Sequence, residues 1–574
     1  MKRLIRPGIA LLLIISLHAC EANFLNITPN GALDAEVMAT ETGIDNLLIG
    51  VYSMLDGTSA NGFGWEAAAS NWVFGSMRAM IANKGSDAGD QSDINPLQTY
   101  NETATNLFLN VKWRSLYESI SRANVALQVV SQAEESGNIT EDQAASFRQQ
   151  LRTLRGHFHL EAWKMWEQIP YLDEETNPRT VTNTEDVRDR ILEDLKAGTE
   201  LPLDMGQIGR FNKTVSQVIL AKGLMQMKGE YAQARTLLEE VVASGTKPDG
   251  SPIGLAATFG DIFDAENRNG IEAVYTVQYS VNDGSAGWNG GWGEVLNFPY
   301  KSGESPGGCC GFFQPNQEFV NSFRTDVNGL PLLDFSYNND PVLNDQSIAA
   351  DDPSYVEDPG NLDPRLDWTV GRRGIPYLDW GEHTGQDWIR DQSYAGPFSP
   401  KKQVYRQSQE GTLTEVGNWT SGWTANGYRM IRYADVLLLL AECQIQTGEL
   451  EAARTNINQV RNRAANPDGF VMEEDGHTPA ANYQISGYPS VFASQQEAMN
   501  ALMMERKLEL GMEGHRYFDL RRWEVAVQEV QRILTYEKTQ RVGMYFDAEF
   551  SADNVLYPVP QRQIDLSHGN LVQN

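Results

Sequence analysis

The segment GEYAQART at residues 229–236 recurs as GELEAART at residues 448–455. Each copy lies between two stretches that have the apolar spacing of an α-helix. The glycine at the first position can end the first helix, and the small alanine at the sixth position lets the second helix pack closely on it. The apolar residue at the third position can pack between the two helices. Tetratricopeptide-type helix pairs have this layout. Because the two copies are far apart in the chain, they predict a helical scaffold assembled from both of its ends.

Helical periodicity also dominates the rest of the two arms. The predicted helices span residues 44–54, 107–130, 141–166, 187–195, 214–244, 428–447, 449–465 and 497–513. They predict a mainly α fold with one domain over residues 31–574, whose helical parts cover about 31–245 and 428–574. Between them, about residues 280–424 are rich in Gly, Pro, Asn, Asp and Trp, which predicts long loops with short strands. We call this region the loop-rich lobe, and its many aromatic residues argue against disorder.

The N-terminus has the pattern of an export signal. Three basic residues within the first six precede an apolar run at residues 9–17, which is too short to span a bilayer. The run ends in Leu-His-Ala before Cys20, which predicts a lipoprotein signal peptide over residues 1–19, a lipid on Cys20 and a tether over residues 20–30. The alternative is an ordinary signal peptide followed by a chance cysteine. We therefore expect a lipid-anchored protein that faces the medium.

Charge and cysteine content exclude several classes of function. The formal charge of −30 is spread thinly along the chain, which argues against a nucleic-acid partner. Cys443 lies in an apolar helical run and is expected to be a buried thiol. Cys309 and Cys310 are adjacent, and whether they form a vicinal disulfide stays open. No cysteine or histidine spacing resembles a zinc site, so neither a metal nor a cofactor is predicted.

Tryptophan is concentrated in the loop-rich lobe. Seven of the 13 tryptophans lie there, at positions 288, 292, 368, 380, 388, 419 and 423. Sugar rings offer apolar C–H faces that stack on flat aromatic rings, while Asn, Asp, Gln and Arg can bond their hydroxyls. The sequence GWNGGWG at residues 287–293 leaves its large side chains little local cover. We therefore predict that at least two of the seven rings form an exposed platform, with Trp288, Asn289, Trp292, Trp380 and Trp388 as ligand-binding candidates. The alternative is that these rings fill the core of the lobe.

Further candidates lie outside that cluster of motifs. Trp65 and Trp72 follow glycine and asparagine early in the chain and are included as ligand-binding candidates. Arg372 is included because the segment 365–406 carries seven basic and five acidic residues, which give it a net charge of +2. The whole chain, by contrast, has a formal net charge of −30. The planar guanidinium group of arginine can bind a carboxylate or a sulfate through two parallel hydrogen bonds, so the ligand could be an anionic glycan. The alternative is local pairing of these cations with the acids nearby.

The acidic and basic residues at 505–521 resemble a catalytic cluster at first sight. Because Arg506, Glu509 and Glu513 are spaced by three and four residues, the simpler interpretation is that opposite charges support one helix. No phosphate loop, zinc-protease motif or nucleophile elbow is present. We therefore expect a binding protein and not an enzyme.

Several motifs together resemble the SusD/RagB family of outer-membrane nutrient-binding lipoproteins. They are FLNITP at 24–29, LRGHF at 154–158, IPY at 169–171, CGFFQP at 310–315, DPRL at 363–366, ERK at 505–507, GHR at 514–516, DLRRW at 519–523, YPVP at 557–560 and NLVQN at 570–574. The resemblance runs from Cys20 to the end of the chain.

The resemblance implies tetratricopeptide-like helix pairs under an irregular lobe, a lipid anchor in the outer membrane, and glycan binding without hydrolysis. It also implies delivery of the oligo- or polysaccharide to a TonB-dependent transporter partner of the SusC type. In this family an Asp in an early loop often reaches the binding face, so Asp87 is carried over as a further ligand-binding candidate. A calcium site at Asp87, Asp90 and Asp93 is less favoured than the interpretation of these residues as solvated acids of a turn. The alternative function is a lipoprotein of the same fold that captures peptides or other nutrients.

Overall fold

The computed structural model describes residues 38–59, 62, 64–301, 305–417, 419–420 and 422–574. The predicted signal peptide, Cys20 anchor and tether lie outside these residues. The described chain is mainly α, as predicted, with few and short strands. Among the described residues, none of the helices combines the length and the apolar character needed to cross a membrane.

In the described part of the N-terminal half, six helices have seven residues or more. They are α1 Glu41–Tyr52, α2 Leu107–Glu135, α3 Glu141–Trp166, α4 Arg188–Ala197, α5 Lys213–Lys228 and α6 Tyr231–Ser244. Local signals set their starts: Thr140 and Gln143 form a reciprocal capping box before α3, and the Asn212 side chain caps α5. From α2 onward, consecutive helices pack on each other through their apolar faces.

The C-terminal half contributes five more helices of this length: α7 Tyr433–Gln446, α8 Leu450–Ala464, α9 Gln495–Leu510, α10 Arg516–Arg522 and α11 Ala526–Gln540. The helix predicted to begin at Tyr428 is wrong for its first five residues, because Tyr428–Arg432 is a strand. This strand pairs with Ala273–Val277 and leads directly into α7, so its residues were included in the helical pattern that follows.

The two repeat copies pack together, as their layout predicts. Gly229 and Gly448 follow the first helix of each pair with positive φ values of 64° and 88°. Helix α6 of the first pair packs on α7 of the second, and Arg235 of the first copy forms an ion pair with Glu449 of the second. The Cys443 thiol is buried between the pairs, 3.6 Å from the Met225 sulfur. Both ends of the chain therefore build one scaffold.

Short elements make up the remaining structure. The strands are β1 Ala82–Gly85, β2 Ala273–Val277, β3 Phe312–Pro315, β4 Val370–Gly371, β5 Ser399–Pro400, β6 Thr414–Glu415, β7 Trp423–Thr424 and β8 Tyr428–Arg432. They form four antiparallel two-stranded ladders, β1–β3, β2–β8, β4–β5 and β6–β7. Short helices cover Asn95–Thr99, Gln317–Asn321, Leu366–Thr369, Gln392–Ala395, Val542–Tyr545 and Gln561–Leu566. Cys309 and Cys310 are joined by a disulfide.

A buried network of ion pairs joins the loop-rich lobe to the C-terminal helices. Glu509 of α9 contacts Arg365 at 3.0 Å and Arg432 at 3.1 Å, and it also pairs with Arg463. Burial alone would raise the pKa of Glu509, but the three guanidinium groups outweigh it and hold that pKa well below its usual range. The interpretation of these charges as helix-supporting pairs is therefore wrong, because they bond across elements.

Candidate functional site

Five tryptophans from three chain segments meet at the surface of the loop-rich lobe, and we call Trp65, Trp288, Trp292, Trp419 and Trp423 the tryptophan cluster. The rings of Trp288 and Trp292 stack with centroids 5.0 Å apart and planes inclined by 21°. Trp65 stacks on the same residue, Trp292, at 6.0 Å and 29°. Three of the five indoles therefore form a nearly parallel stack with Trp292 in the middle.

The other two indoles close one side of that stack. Trp423 lies 5.3 Å from Trp292, and Trp419 stands nearly perpendicular to both Trp423 and Trp65, at 87° and 84°. Trp288 is 61% exposed and Trp419 is 43% exposed, whereas Trp65 and Trp292 are buried. Two of the seven rings of the lobe, Trp288 and Trp419, are therefore exposed above a base of buried indoles, and the platform that they were expected to form stays a prediction.

Glycines allow the segments to approach this closely. A Cβ on Gly287 would lie 2.3 Å from Cε3 of Trp423, and a Cβ on Gly64 would lie 2.5 Å from Cβ of Trp292. The Trp292 indole N–H donates to the Gly287 carbonyl at 2.9 Å, which fixes the turn between the two stacked rings. These contacts fix the cluster before any ligand arrives.

The loop that carries Trp288 also carries polar side chains, and we call these residues and Glu415, which bonds to the loop, the border of the tryptophan cluster. The Asn289 amide donates to the Asp283 carboxylate at 2.8 Å, and the Asn282 backbone N–H donates to the Glu415 carboxylate at 2.8 Å. Hydrogen bonds from Ser285 and Asn289 lower the pKa of Asp283 well below its usual range. The border therefore offers amide and carboxylate oxygens to sugar hydroxyls, and its charge is negative.

Five of the predicted ligand-binding residues are buried: Trp65 and Trp292 inside the tryptophan cluster, and Trp72, Trp388 and Arg372 outside it. Trp72 packs on Phe313 and donates from its indole to the Gly293 carbonyl at 3.2 Å, so it supports the loop that carries Trp292. Trp388 is enclosed in a small core of the lobe, and Arg372 binds the Asp367 carboxylate with two nitrogens at 2.6 and 2.9 Å. Because a surface ligand cannot reach Trp72, Trp388 and Arg372, we remove these three from the candidate site. Trp65 and Trp292 stay in it as the buried support of Trp288.

Two other predicted residues lie in different surroundings. Trp380 is half-buried beside the same small core and donates from its indole to the Tyr405 carbonyl at 3.0 Å. The Asp87 carboxylate lies 2.9 Å from Arg390 Nη2 and accepts two backbone N–H groups at 2.8 Å, from Gly89 and Asp90. In the part of the chain that the structure describes, no group of three or more His, Cys, Asp or Glu side chains could hold a metal ion. The roles of Trp380 and Asp87 stay predictions.

The basic residues of segment 365–406 are engaged within the protein. Their partners are Asp363 for Arg365, Asp367 for Arg372, backbone carbonyls of residues 349–352 for Arg373, Asp87 and Asp90 for Arg390, backbone carbonyls of Asp367 and Pro376 for Lys401, Glu513 for Lys402 and Asp264 for Arg406. This supports the alternative of local pairing and removes the argument for an anionic ligand.

Two members of the tryptophan cluster were not singled out from the sequence. Trp419 and Trp423 were counted among the seven rings of the lobe but not chosen as ligand-binding residues. Gly417 and Gly422 flank them, and a Cβ on Gly417 would lie 2.3 Å from Cζ3 of Trp423. As at residues 287–293, the two tryptophans are four residues apart and a glycine precedes the second one, and this is the signal that could have found them.

Comparison with known proteins now identifies the fold. The family model described as the SusD family matches residues 271–574. The chain belongs to the SusD family. Its carboxylates at Glu505 and Glu509 are occupied by buried arginines, in agreement with a binding protein and not an enzyme. SusD-like protein P25 of Formosa agariphila is 22% identical over 537 residues, which are 90% of each chain.

Solved structures of SusD-like proteins share the fold over almost the whole chain. A SusD homologue from Bacteroides thetaiotaomicron superposes with a TM-score of 0.66 at 19% identity, covering 94% of this chain and 97% of that one. A laminarin-binding SusD-like protein gives 0.64 at 20%, covering 93% and 99%. Surface glycan-binding protein A from Bacteroides thetaiotaomicron, solved with laminarihexaose, gives 0.63 at 19%, also covering 93% and 99%.

Proposed function

We propose that this SusD-family protein captures oligo- or polysaccharide on the exposed faces of its tryptophan cluster and does not cleave it. The observation that carries the proposal is the pair of exposed rings, Trp288 and Trp419, fixed on a base of buried indoles. Stacking on aromatic faces is the main apolar interaction that a sugar ring can make. Pre-positioned rings lose little conformational freedom on binding, so more of the stacking free energy remains as affinity.

The inclination of the exposed rings restricts the shape of the ligand. Trp419 stands nearly perpendicular to Trp65, and Trp65 is nearly parallel to the stack that ends in Trp288. A glycan that covers both exposed rings must therefore turn between neighbouring sugars, or contact one ring with a face and the other with an edge. The amide of Asn289 and the carboxylate of Asp283 lie beside Trp288, where they can bond hydroxyls of the stacked sugar.

The relatives support this class of ligand without fixing its identity. Two of the similar structures are described as binding laminarin or laminarihexaose. At about 20% identity, the likeness shows a shared fold and leaves the glycan of this chain to experiment. Laminarin is therefore the first probe and not the assigned ligand.

Location and partner belong to the same proposal. The apolar run before Cys20 supports a lipid anchor, and membership of the SusD family supports an outer-membrane position facing the medium. From there the protein would pass glycan to a TonB-dependent transporter of the SusC type. Labelling of the mature protein with palmitate, lost in Cys20→Ala, and protease access to it on intact cells would test the anchor. Absence of a co-purifying barrel from mild detergent extracts of the native membrane would count against the partner.

Affinity electrophoresis against a panel of polysaccharides tests glycan capture. We expect retardation by at least one glycan, no release of reducing sugar, and loss of retardation in Trp288→Ala and Trp419→Ala. Phe546→Ala is the control, because Phe546 is an exposed aromatic residue on a different segment of the chain. Retardation that survives both tryptophan substitutions, or binding of peptides with no shift by any glycan, would overturn the proposal.

A further inference from the structure

A small cavity lies behind the tryptophan cluster, where two of its chain segments meet. It has a volume of about 20 Å³, and Ser70, Trp72, Glu294 and Asn297 are among its lining residues. Glu294 is 7% exposed and Asn297 is 4% exposed, so both side chains belong to the interior. A cavity of this size holds one water molecule when two to four polar groups face it.

Polar atoms in this cavity lack partners within the protein. Across the described residues, Glu294 Oε1 and both side-chain amide atoms of Asn297 are buried without a hydrogen-bond partner. Buried polar groups are rarely left unpaired, because a group that has lost its water and gained no partner keeps the full cost of desolvation. A single water can accept from the amide and donate to the two oxygens, so one molecule satisfies all three atoms.

The charged groups around Glu294 do not neutralise it. The Lys402 ammonium also lines the cavity, but it donates to Glu513 at 2.7 Å and to the Glu509 carbonyl at 2.8 Å. The Asp56 carboxylate faces Glu294 from the turn after α1, and the phenols of Tyr279 and Tyr428 face it from their own segments. Burial, reinforced by Asp56 and only partly offset by a hydrogen bond from the Ser70 side chain, raises the pKa of Glu294 to about 7.

The position of Glu294 links it to the exposed rings. It follows Trp292 by two residues, and the intervening Gly293 carbonyl accepts the Trp72 indole N–H. A Cβ on Gly293 would lie 3.2 Å from that of Ala68, so the loop bearing Trp288 and Trp292 packs directly on the segment bearing Trp65 and Trp72. The Asn297 backbone N–H donates to the Glu294 carbonyl at 2.8 Å and closes the turn at this junction.

We propose that Glu294 and Asn297 bind one buried water that fixes this junction, and that Glu294 is the positioning residue that holds the tryptophan cluster in its binding arrangement. The proposal rests on glycan capture by that cluster. An ionised carboxylate here is buried without a counter-charge, and opening of the junction relieves its desolvation. Glycan affinity is therefore lost with rising pH, through a residue that does not touch the ligand.

The direction of the pH effect follows from the pKa. Because the pKa of Glu294 rises from 4.5 to about 7 on folding, its contribution to stability is complete below pH 4.5 and is lost as the pH rises through 7. Glu294→Gln keeps the side chain neutral at every pH and keeps a polar atom for the water. The variant is thus expected to match the wild type at pH 5.5 and to exceed it in unfolding temperature at pH 8.5.

The matched control is Glu537→Gln. Burial also raises the pKa of Glu537 to about 7, but this residue lies in α11 and its carboxylate accepts the Glu318 backbone N–H at 2.7 Å. The full mature chain is titrated from pH 5.5 to 8.5 by tryptophan fluorescence, thermal unfolding and affinity electrophoresis in laminarin. Glu537→Gln should change the pH dependence of unfolding alone.

In the wild type we expect a fluorescence transition near pH 7 and an affinity for laminarin that falls by up to about tenfold per pH unit above 7. Both effects should be absent from Glu294→Gln and present in Glu537→Gln. A wild-type fluorescence signal that is flat with pH, or a transition that persists in Glu294→Gln, overturns the proposal. If no glycan retards the protein while the Glu294-dependent transition is present, the glycan-capture function fails and the positioning role of Glu294 stands.

Discussion

Gly287 lies directly against the indole of Trp423, with no room between them for a side chain. A Cβ on Gly287 would fall 2.3 Å from Cε3 of the ring, and its φ of 82° is already unfavourable for any residue with a side chain. This contact brings the loop that carries Trp288 against the β6–β7 hairpin that carries Trp423. The arrangement of the exposed rings therefore depends on the absence of a side chain at residue 287.

Gly287→Ala should displace the Trp288 loop from Trp423 and abolish retardation by any glycan that the wild type binds. We expect a loss of unfolding free energy of about 2–4 kcal/mol, from overpacking together with left-handed backbone strain. Gly284→Ala is the control in the same loop, since Gly284 has a φ of 84° and no atom within 4 Å of its Cβ position. Its cost should be about 1–2 kcal/mol of strain, with binding retained. Equal effects of the two substitutions on binding would contradict the contact.

The helical scaffold was predictable because its signals are local. Residues 141–166 were predicted as a helix with the bounds that the structure shows, since a capping box marks the start. The repeat at 229–236 and 448–455 predicted that distant helices pair, because both copies carry the same turn and packing residues. The strand at Tyr428–Arg432 escaped this reasoning, since its partner Ala273–Val277 is some 150 residues away and is what makes it extended.

The candidate site was predictable in composition but not in detail. Trp288 and Trp388 both lie in loop sequence rich in polar residues and glycine, yet one ring is exposed and the other is enclosed by Tyr377 and His383. Whether an aromatic ring in a loop is buried depends on which distant segments of the chain cover it, and the sequence around the ring does not indicate those segments. Arg372 failed for a different reason, because Asp367, only five residues before it, pairs with it inside the lobe, which is the local pairing that the sequence left open.

Glycan binding should be insensitive to ionic strength. The cations of segment 365–406 are engaged by internal partners, and the carboxylates of Asp283 and Glu415 lie at the border of the tryptophan cluster. Stacking of an uncharged sugar is not screened by salt, whereas contacts between exposed charges weaken strongly by 1 M. Affinity electrophoresis or calorimetry between 20 mM and 1 M NaCl should give affinities equal within about twofold. A steep loss of affinity with salt would indicate an anionic ligand.

Acid should destabilise the fold through buried carboxylates such as Glu318. Burial raises its pKa, but Lys507 and Arg532 outweigh that effect and lower it from 4.5 to about 2. Because the folded pKa is the lower one, the stabilisation is present above pH 4.5 and is lost as the pH falls towards 2. Glu318→Gln should lose about 3–5 kcal/mol at pH 7 and show a weaker dependence on acid. Denaturant unfolding at pH 7, 4 and 3 measures both effects. Parallel stability curves for variant and wild type would contradict the assignment.

Trp288 and Trp388 should separate binding from stability. Trp388→Ala removes a ring from the small core that it shares with Tyr377 and Tyr405, so we expect a loss of about 3–5 kcal/mol in urea unfolding. Trp288→Ala removes an exposed ring that contacts Trp292 on one face only, so the expected loss is about 1 kcal/mol. Under conditions where both variants are folded, glycan affinity should be lost in Trp288→Ala and kept in Trp388→Ala, because only the first ring is open to the ligand. The reverse order of affinities would place the sugar on the face of the lobe that carries Trp380 and not on the tryptophan cluster.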